Sequence, residues 1–132
     1  SVRTGGVNFV SRITKLAAER AELSFVDDCF CQPTYAPDLA RVTFELVDRE
    51  APFGLYHAAG AEVMTPYSWA VAALAHGEVK TRLLAVKSET FATKARRPLR
   101  PVLSTAKLAA LGIKIPGGPS RLADYFAGRI EC

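Results

Sequence analysis

The 132-residue sequence is poor in cysteine and histidine, which limits the metal and redox chemistry it can support. It contains three cysteines, Cys29, Cys31 and Cys132, and two histidines. Cys29 and Cys31 are separated by one residue, a poor spacing for a disulfide or a redox pair. No second pair of ligands lies near them in sequence, so a zinc site is not expected. The odd cysteine count predicts a reduced, cytoplasmic protein.

Long apolar runs and a strong charge of one sign are also missing. No stretch of eighteen consecutive apolar residues occurs, so we expect no membrane partner. Residues 1–6 are short and polar, unlike a signal peptide. The formal net charge is only +4, and the basic residues do not alternate with aromatics as on a nucleic-acid-binding surface, so we expect no nucleic-acid partner.

What the sequence does have is enough apolar residues for a folded core. Hydrophobic residues make up 49% of the chain, and its length predicts one domain over residues 1–132. Hydrophobic periodicity predicts helices at about 7–21, 37–48, 66–77 and after 104, and strands at 23–26, 55–58 and 83–86. Short strands between helices predict an α/β fold with parallel or mixed pairing.

The segment 25–40 combines a strand end, a polar turn and a helix start. Asp27 and Asp28 close the apolar run, and Pro33 fixes one backbone angle in the turn. Pro37 suits the first turn of a helix, and Asp38 follows where a negative charge is favoured by the helix dipole. This order of elements predicts a place where backbone N–H groups can bind an anion.

The same segment resembles the DDQ-x-G-x-PTYA-x-DLA motif of the dTDP-4-dehydrorhamnose reductases, a family of extended short-chain dehydrogenases. Other family-like pieces occur in the same order as in the family. They are residues 8–10, 54–58, 67–70, 95–98 with 102–104 and Lys107, and 122–126. Their order and spacing carry the resemblance, which spans nearly the whole chain but only the C-terminal half of such an enzyme.

The resemblance implies the substrate-binding part of an NAD(P)H-dependent reductase that acts on a dTDP-4-keto-6-deoxy sugar. The printed residues contain no G-x-x-G-x-x-G turn for a dinucleotide. None of the tyrosines has a lysine four residues later, as the catalytic pair of such dehydrogenases requires; these are Tyr35, Tyr56, Tyr67 and Tyr125. In the family both features lie upstream, so we expect no catalytic residue here and leave open whether the chain itself is an enzyme.

Six residues are candidates for the dTDP-sugar site by their position in the family. They are Asn8, Phe9, Gln32, Pro33, Thr34 and Arg97. The resemblance implies that Arg97 pairs with a diphosphate oxygen and that Thr34 and Asn8 hydrogen-bond the sugar or the base.

Each of these interpretations has a structural alternative. Asn8 is equally well explained as the cap of the first helix. Arg97 belongs to a basic cluster that is equally well explained as a solvated loop, formed with Lys94, Arg96 and Arg100. Tyr67 and Trp69 can stack on a base, but aromatics at helical spacing more often pack in a core. We expect His57 to be a hydrogen-bonded core residue of the strand 55–58.

A second hypothesis concerns function without catalysis. Cys29, Cys31 and Gln32 stand where the family motif has glutamine, glycine and a small residue. A branch of the same family serves as the regulatory subunit of methionine adenosyltransferase, so the alternative is a non-catalytic regulatory or protein-interaction module. A truncated or degenerate product without activity is a third hypothesis.

The resemblance also implies a partner surface. In the family fold, the helix from Pro37 and the strand 55–58 pack on the cofactor-binding domain. We therefore expect an exposed apolar face that associates with the missing cofactor-binding half, with another protein chain or with a second copy.

Overall fold

A computed structural model describes residues 8–77, 80–91 and 98–128, and it confirms the α/β class. Gly5 and Gly6, which predict a flexible turn, lie outside these ranges. The elements are α1 (Phe9–Glu19), β1 (Glu22–Val26), α2 (Ala36–Asp48), α3 (Pro66–Leu74), β2 (Arg82–Val86), α4 (Ala106–Ala110) and α5 (Leu122–Phe126), with 3₁₀ turns at Ser88–Thr90 and Pro119–Arg121. None of the helices in the described ranges is long and apolar enough to cross a bilayer.

The two strands pair in parallel, as the sequence predicted. The register runs from Glu22 opposite Arg82 to Val26 opposite Val86. The chain between them passes through α2 and α3, so both strands end at the same edge of the sheet. The polar residues that follow β1 are therefore brought beside those that follow β2.

Side-chain caps begin two of the helices at the predicted positions. The Asn8 Oδ1 accepts the Ser11 N–H at 2.9 Å, and the Ser11 Oγ accepts the Asn8 N–H at 3.1 Å. Thr65 and Ser68 form the same reciprocal pair at the start of α3. Each pair satisfies N–H groups that the helix leaves without a partner, so the start of each helix is locally defined.

Apolar side chains collect in two clusters. The first lies between α1, β1, α3 and α5 and comprises Val10, Ile13, Ala17, Leu23, Ala70, Ala73, Leu74 and Leu122. The second joins α2 to the segment around α4 and comprises Val42, Leu108, Ile113 and Ile115.

The predicted buried strand at 55–58 is wrong. The segment forms no ladder with β1 or β2, the two strands that the described ranges contain. Leu55 keeps 77% of its surface exposed, and His57 is exposed too, so the prediction of a core histidine is also wrong. The apolar sequence favours a strand, but a strand needs a neighbouring strand, and within the described ranges this segment has none.

Candidate functional site

A cleft of about 900 Å³ opens between the start of α1, the loop before α2 and the segment that carries α5. Four of the six predicted site residues lie on its wall: Asn8, Phe9, Pro33 and Thr34. They come from two segments that are more than twenty residues apart, and the fold brings them to one hollow. Arg97 lies outside the described residues.

Aromatic side chains form much of the wall. They are Phe9, Tyr35, Phe44, Trp69 and Tyr125. Trp69 also packs against the first apolar cluster, so its two predicted roles, core packing and access to a ligand, are compatible. Phe44 lies on the outward side of α2 and is 70% exposed, so it lies at the rim rather than at the floor.

The Pro33–Thr34 wall is held by close backbone contacts. The Thr34 hydroxyl donates to the Gln32 carbonyl at 3.0 Å and accepts the Gly60 N–H at 2.9 Å. A Cβ on Gly60 would lie 2.2 Å from the Pro33 carbonyl oxygen, and one on Gly118 would lie 2.6 Å from the Pro33 Cβ. Two glycines therefore allow the chain to close on both sides of Pro33.

Gln32 does not line the cleft. Its Oε1 accepts the Leu103 N–H at 2.7 Å, and its Nε2 donates to the carbonyls of Leu103 and Gly60 at 3.3 Å. The side chain therefore joins the loop to the segment before α4. This contact positions the neighbouring Pro33 and Thr34, which do face the cleft.

Asn8 combines the two roles that the sequence left open. Its side chain caps α1 through Ser11, and it also lies 3.1 Å from the Tyr125 hydroxyl through Nδ2 and 3.2 Å through Oδ1. The Asn8–Tyr125 contact joins the start of α1 to α5 across the cleft wall. The cap fixes the backbone, and the tyrosine fixes the orientation of the carboxamide.

Arg121 on the cleft wall forms an ion pair with a buried carboxylate. Asp38, only 4% exposed, accepts two hydrogen bonds from Arg121, at 2.7 Å from Nε and at 2.8 Å from Nη2. Asp124 accepts a third, from Nη1 at 3.3 Å. The hydrogen bonds and charge of Asp38 raise the pKa of Arg121 despite the partial loss of water around it. Asp38 thus has a second role besides its favourable place in the first turn of α2.

Several residues of the cleft escaped sequence reasoning. Tyr35, Phe44 and Arg121 were not predicted as site residues, and Arg121 lies 83 positions from its partner Asp38. A single sequence carries no signal for such a distant pair, because α2 and the 3₁₀ turn before α5 meet only through the tertiary fold. Phe44 is the exception among these three residues. The sequence could have indicated it, because it is a large apolar residue that lies off the buried stripe of its helix.

In the described ranges, the two segments that follow β1 and β2 lack the features of a pyrophosphate-binding turn. Between β1 and α2 the chain has no glycine, and β2 leads through Lys87 into the 3₁₀ turn Ser88–Thr90. A pyrophosphate-binding turn needs glycines between a strand and a long helix, so that the backbone can approach the phosphates. The described ranges also hold no group of three His, Cys, Asp or Glu side chains arranged to bind a metal ion.

An α/β fold whose helices and loops surround an aromatic cleft is the architecture of a ligand-binding domain. The chain belongs to the family described as the RmlD substrate binding domain, whose model matches residues 3–127. The predicted resemblance to dTDP-4-dehydrorhamnose reductases is thereby confirmed.

Relatives of known name agree with this family. The chain is 33% identical over 125 residues to the spore coat polysaccharide biosynthesis protein SpsK of Bacillus subtilis, covering 95% of this chain and 44% of that protein. It is 34% identical over 114 residues to a dTDP-4-dehydrorhamnose reductase of Escherichia coli, covering 77% and 37%. The chain therefore spans less than half the length of these relatives.

Solved structures share the fold. A dTDP-4-dehydrorhamnose reductase from Bacillus anthracis, crystallised with NADP, matches with a TM-score of 0.86 at 27% identity, over 93% of this chain and 44% of that one. The orthologue from Clostridium acetobutylicum matches with a TM-score of 0.86 at 26% identity, over the same shares. The fold class is thus the substrate-binding part of these reductases.

Proposed function

We propose that the chain is the substrate-binding part of an NAD(P)H-dependent reductase that acts on a dTDP-4-keto-6-deoxy sugar, and that its cleft binds the dTDP-sugar. The observation that carries the proposal is the meeting of Asn8, Phe9, Pro33 and Thr34 at one cleft of about 900 Å³. A hollow of this size is appropriate for a nucleotide sugar. The names of the relatives supply the substrate class.

In this proposal the chain binds and orients the substrate but does not supply the hydride. The glycine-rich turn and the tyrosine–lysine pair belong to a separate cofactor-binding half. That half, and not this chain, binds NAD(P)H. Asn8 and Thr34, held by Tyr125 and by Gly60, would fix one end of the ligand so that its keto carbon meets the cofactor. Arg97 is the candidate for the diphosphate.

The same proposal gives a role to an exposed apolar face on α2 and the loop after it. We define the apolar face as Leu39, Phe44, Val47, Phe53 and Leu55, which are between 40% and 106% exposed. Exposed apolar residues in this number mark a contact surface. Phe44 belongs both to this face and to the rim of the cleft, so a cofactor-binding half seated on the face would also close the cleft.

A binding experiment tests the cleft. Ala40 is exposed on α2 and lines the cleft, whereas Thr43 is exposed on the same helix and does not. We expect calorimetry to detect dTDP binding to the 132-residue chain and to Thr43→Trp, and to find at least a tenfold loss in Ala40→Trp, because the indole fills the cleft. Equal affinities in the two tryptophan variants would refute the assignment of the cleft.

A turnover experiment tests whether this chain binds the substrate while a separate cofactor-binding half supplies the hydride. The chain mixed with NADPH and the dTDP-4-keto-6-deoxy sugar should not oxidise NADPH. Oxidation should begin when the cofactor-binding half of the Escherichia coli relative is co-purified with it, and Val47→Asp should prevent it, because a carboxylate would disrupt the apolar face. NADPH oxidation by the chain alone would show that the catalytic groups lie within it.

The second candidate function is a non-catalytic interaction module, and one observation favours it. Gln32 lies in the loop that differs from the family motif. Its side chain hydrogen-bonds the backbone of Leu103 and Gly60 and does not face the cleft. Under this hypothesis the apolar face binds a partner protein and the cleft has no ligand. Val47→Asp would then abolish partner capture, while Ala40→Trp would leave it unchanged.

A further inference from the structure

We propose that Gly118 is a positioning residue of the cleft. The absence of a side chain at this position allows Pro33 and Trp69 to lie where they line the wall. All three residues line the cleft, but they belong to the turn before α5, to the loop before α2 and to α3. This inference rests on the proposed function, since it concerns the same cleft and takes dTDP as the test ligand.

The backbone conformation of Gly118 does not require a glycine. Its φ of −54° and ψ of −45° belong to the right-handed helical region, which L-residues adopt without strain. Gly54, Gly112 and Gly128 differ, because their φ angles are +144°, +74° and +65°. Gly118 is also buried. The absence of its side chain therefore matters for space and not for backbone freedom.

The space around Gly118 is limited by two cleft residues. A Cβ built on Gly118 would lie 2.6 Å from the Pro33 Cβ and 3.1 Å from the Pro33 carbonyl oxygen. The same Cβ would lie 3.2 Å from Cη2 at the tip of the Trp69 indole. Non-bonded carbon atoms are most favourably separated by about 3.5–4.0 Å. A methyl group at position 118 must therefore move at least one of the three segments.

Pro33 is held in place by contacts on its other side. A Cβ on Gly60 would lie only 2.2 Å from the Pro33 carbonyl oxygen, so the Gly60 backbone lies directly against the loop. The Thr34 hydroxyl ties the same loop together, because it donates to the Gln32 carbonyl and accepts the Gly60 N–H. A displacement of Pro33 would disturb these contacts.

The turn that contains Gly118 is held as well. The Arg121 N–H donates to the Gly118 carbonyl at 3.0 Å, and the Arg121 guanidinium donates twice to Asp38. Leu122, the next residue, is only 2% exposed in the first apolar cluster. A displacement of Gly118 would disturb both the ion pair and the core.

Trp69 is the neighbour that can move most easily. Its indole is only partly buried, and the crowded atom is at the far end of the side chain. A side chain at position 118 should therefore move the indole from its place in the cleft wall. Binding sites depend on side chains held within about 0.5 Å of the productive position, so this displacement should weaken the binding of dTDP.

Gly118→Ala and Gly117→Ala form a matched pair of variants. A Cβ on Gly117 would meet the exposed, flexible side chain of Glu62, and Gly117 lies outside the described wall of the cleft. Gly118→Ala should shift the fluorescence emission of Trp69, the sole tryptophan. It should also weaken dTDP binding about fivefold or more in calorimetry, whereas Gly117→Ala should change the affinity less than about twofold. Equal affinities in the two variants would overturn the inference.

A double-variant cycle separates positioning from a loss of stability. Pro33→Gly removes the Cβ that lies nearest to the new methyl group. In the Pro33→Gly background, Gly118→Ala should therefore weaken dTDP binding less than about twofold, because contacting residues do not act additively. Circular dichroism verifies that each variant is folded at the temperature of the titration. An equal loss of affinity in both backgrounds would show that Gly118 does not act through Pro33.

Nuclear magnetic resonance on the unmodified chain tests the inference even if Gly118→Ala fails to fold. Addition of dTDP should shift the Gly118 amide and the Trp69 indole N–H with one common dissociation constant. The amide of Gly112 should stay in place, because Gly112 is exposed and lies outside the described wall. A fixed Gly118 amide beside a shifting Trp69 would overturn the inference and leave the proposed function intact. Absence of dTDP binding would overturn both.

Discussion

Arg121 and Asp38 form a two-pronged ion pair across 83 residues of sequence, with N–O distances of 2.7 and 2.8 Å. The pair joins the first turn of α2 to the 3₁₀ turn that begins α5. Both of these segments contribute to the cleft wall, so the pair fixes the relative position of two sides of the site. Asp38 is almost fully buried, and its charge therefore depends on its cationic neighbours, Arg121 and the more distant Arg41 at 3.8 Å, more than that of a surface carboxylate would.

Asp38→Asn should destabilise the fold by about 2 kcal/mol, because charge-assisted hydrogen bonds are lost at a buried position. Urea unfolding followed by circular dichroism measures the change. Asp124→Asn is the matched control. Its contact with Arg121 is longer, at 3.3 Å, and 37% of the Asp124 side chain is exposed, so we expect a loss below about 1 kcal/mol. Equal losses in the two variants would contradict a special role for Asp38.

Gly60→Ala should destabilise the fold by about 1–3 kcal/mol, since its Cβ would meet the Pro33 carbonyl, a backbone atom that moves only with the loop. Gly117→Ala is the control, because the new Cβ would meet the flexible side chain of Glu62. The same urea titration compares them. If Gly60→Ala proved as stable as Gly117→Ala, the close approach to Pro33 would not be a constraint on the site.

Stability should fall in acid in part through Asp28. Partial loss of water raises the pKa of this carboxyl, but hydrogen bonds from the Ser88 N–H at 2.8 Å and the Ser88 hydroxyl at 3.0 Å outweigh it, so the pKa lies below 3.8. The unfolded chain then binds the proton more tightly than the folded one. The stabilisation is complete above the unfolded value of 3.8 and is lost as the pH falls through the lower folded value.

The measurement for this prediction is the melting temperature as a function of pH. The fall in melting temperature below about pH 5 should be shallower in Asp28→Asn than in the original chain, because one proton-linked group has been removed. Asp48→Asn, at an exposed position at the end of α2, is the control and should keep the original slope. Parallel curves for Asp28→Asn and the original chain would rule out the Asp28–Ser88 contact as a source of acid sensitivity.

Cys31 should be a slow nucleophile at neutral pH. Burial raises the pKa of its thiol above 9.0, because the thiolate is poorly solvated there. In a Cys29→Ser, Cys132→Ser variant, the pH at which iodoacetamide reaction reaches half its maximal rate should lie above that of a cysteine in a short peptide. The value should return to that of a cysteine peptide in urea. A midpoint in the folded protein equal to or below the midpoint in urea would contradict the raised pKa of this thiol.

Much of the fold could be predicted from the sequence because its signals are local. Asn8, Thr65 and Pro66 mark helix starts through capping and backbone geometry that depend on residues within one turn. The apolar runs predicted strands at 23–26 and 83–86 with parallel or mixed pairing, and the structure has Glu22–Val26 and Arg82–Val86 paired in parallel. The strand at 55–58 was predicted by the same rule and was wrong, because pairing depends on a neighbour that the local sequence does not contain.

The candidate site, like the fold, has residues that the sequence could predict and residues that it could not. The motif around Pro33 and Thr34, together with Asn8 and Phe9, pointed to residues that do line one cleft. The direction of Gln32 and the Arg121–Asp38 pair had no sequence signal, and Phe44 had only a weak one, as a large apolar residue off the buried stripe of its helix. Each of these depends on contacts between segments tens of residues apart.

The sequence by itself determined the family, the helix starts and the loop that carries most of the predicted site residues. Helix caps, turns and hydrophobic periodicity involve residues that are close in sequence. They can therefore be recognised without knowing which distant segments pack against them. Only the tertiary structure decided that Arg121 is paired with Asp38 and that the wall of the cleft is aromatic. Ion pairing and packing are properties of groups brought together in space, and distance along the chain does not reveal them.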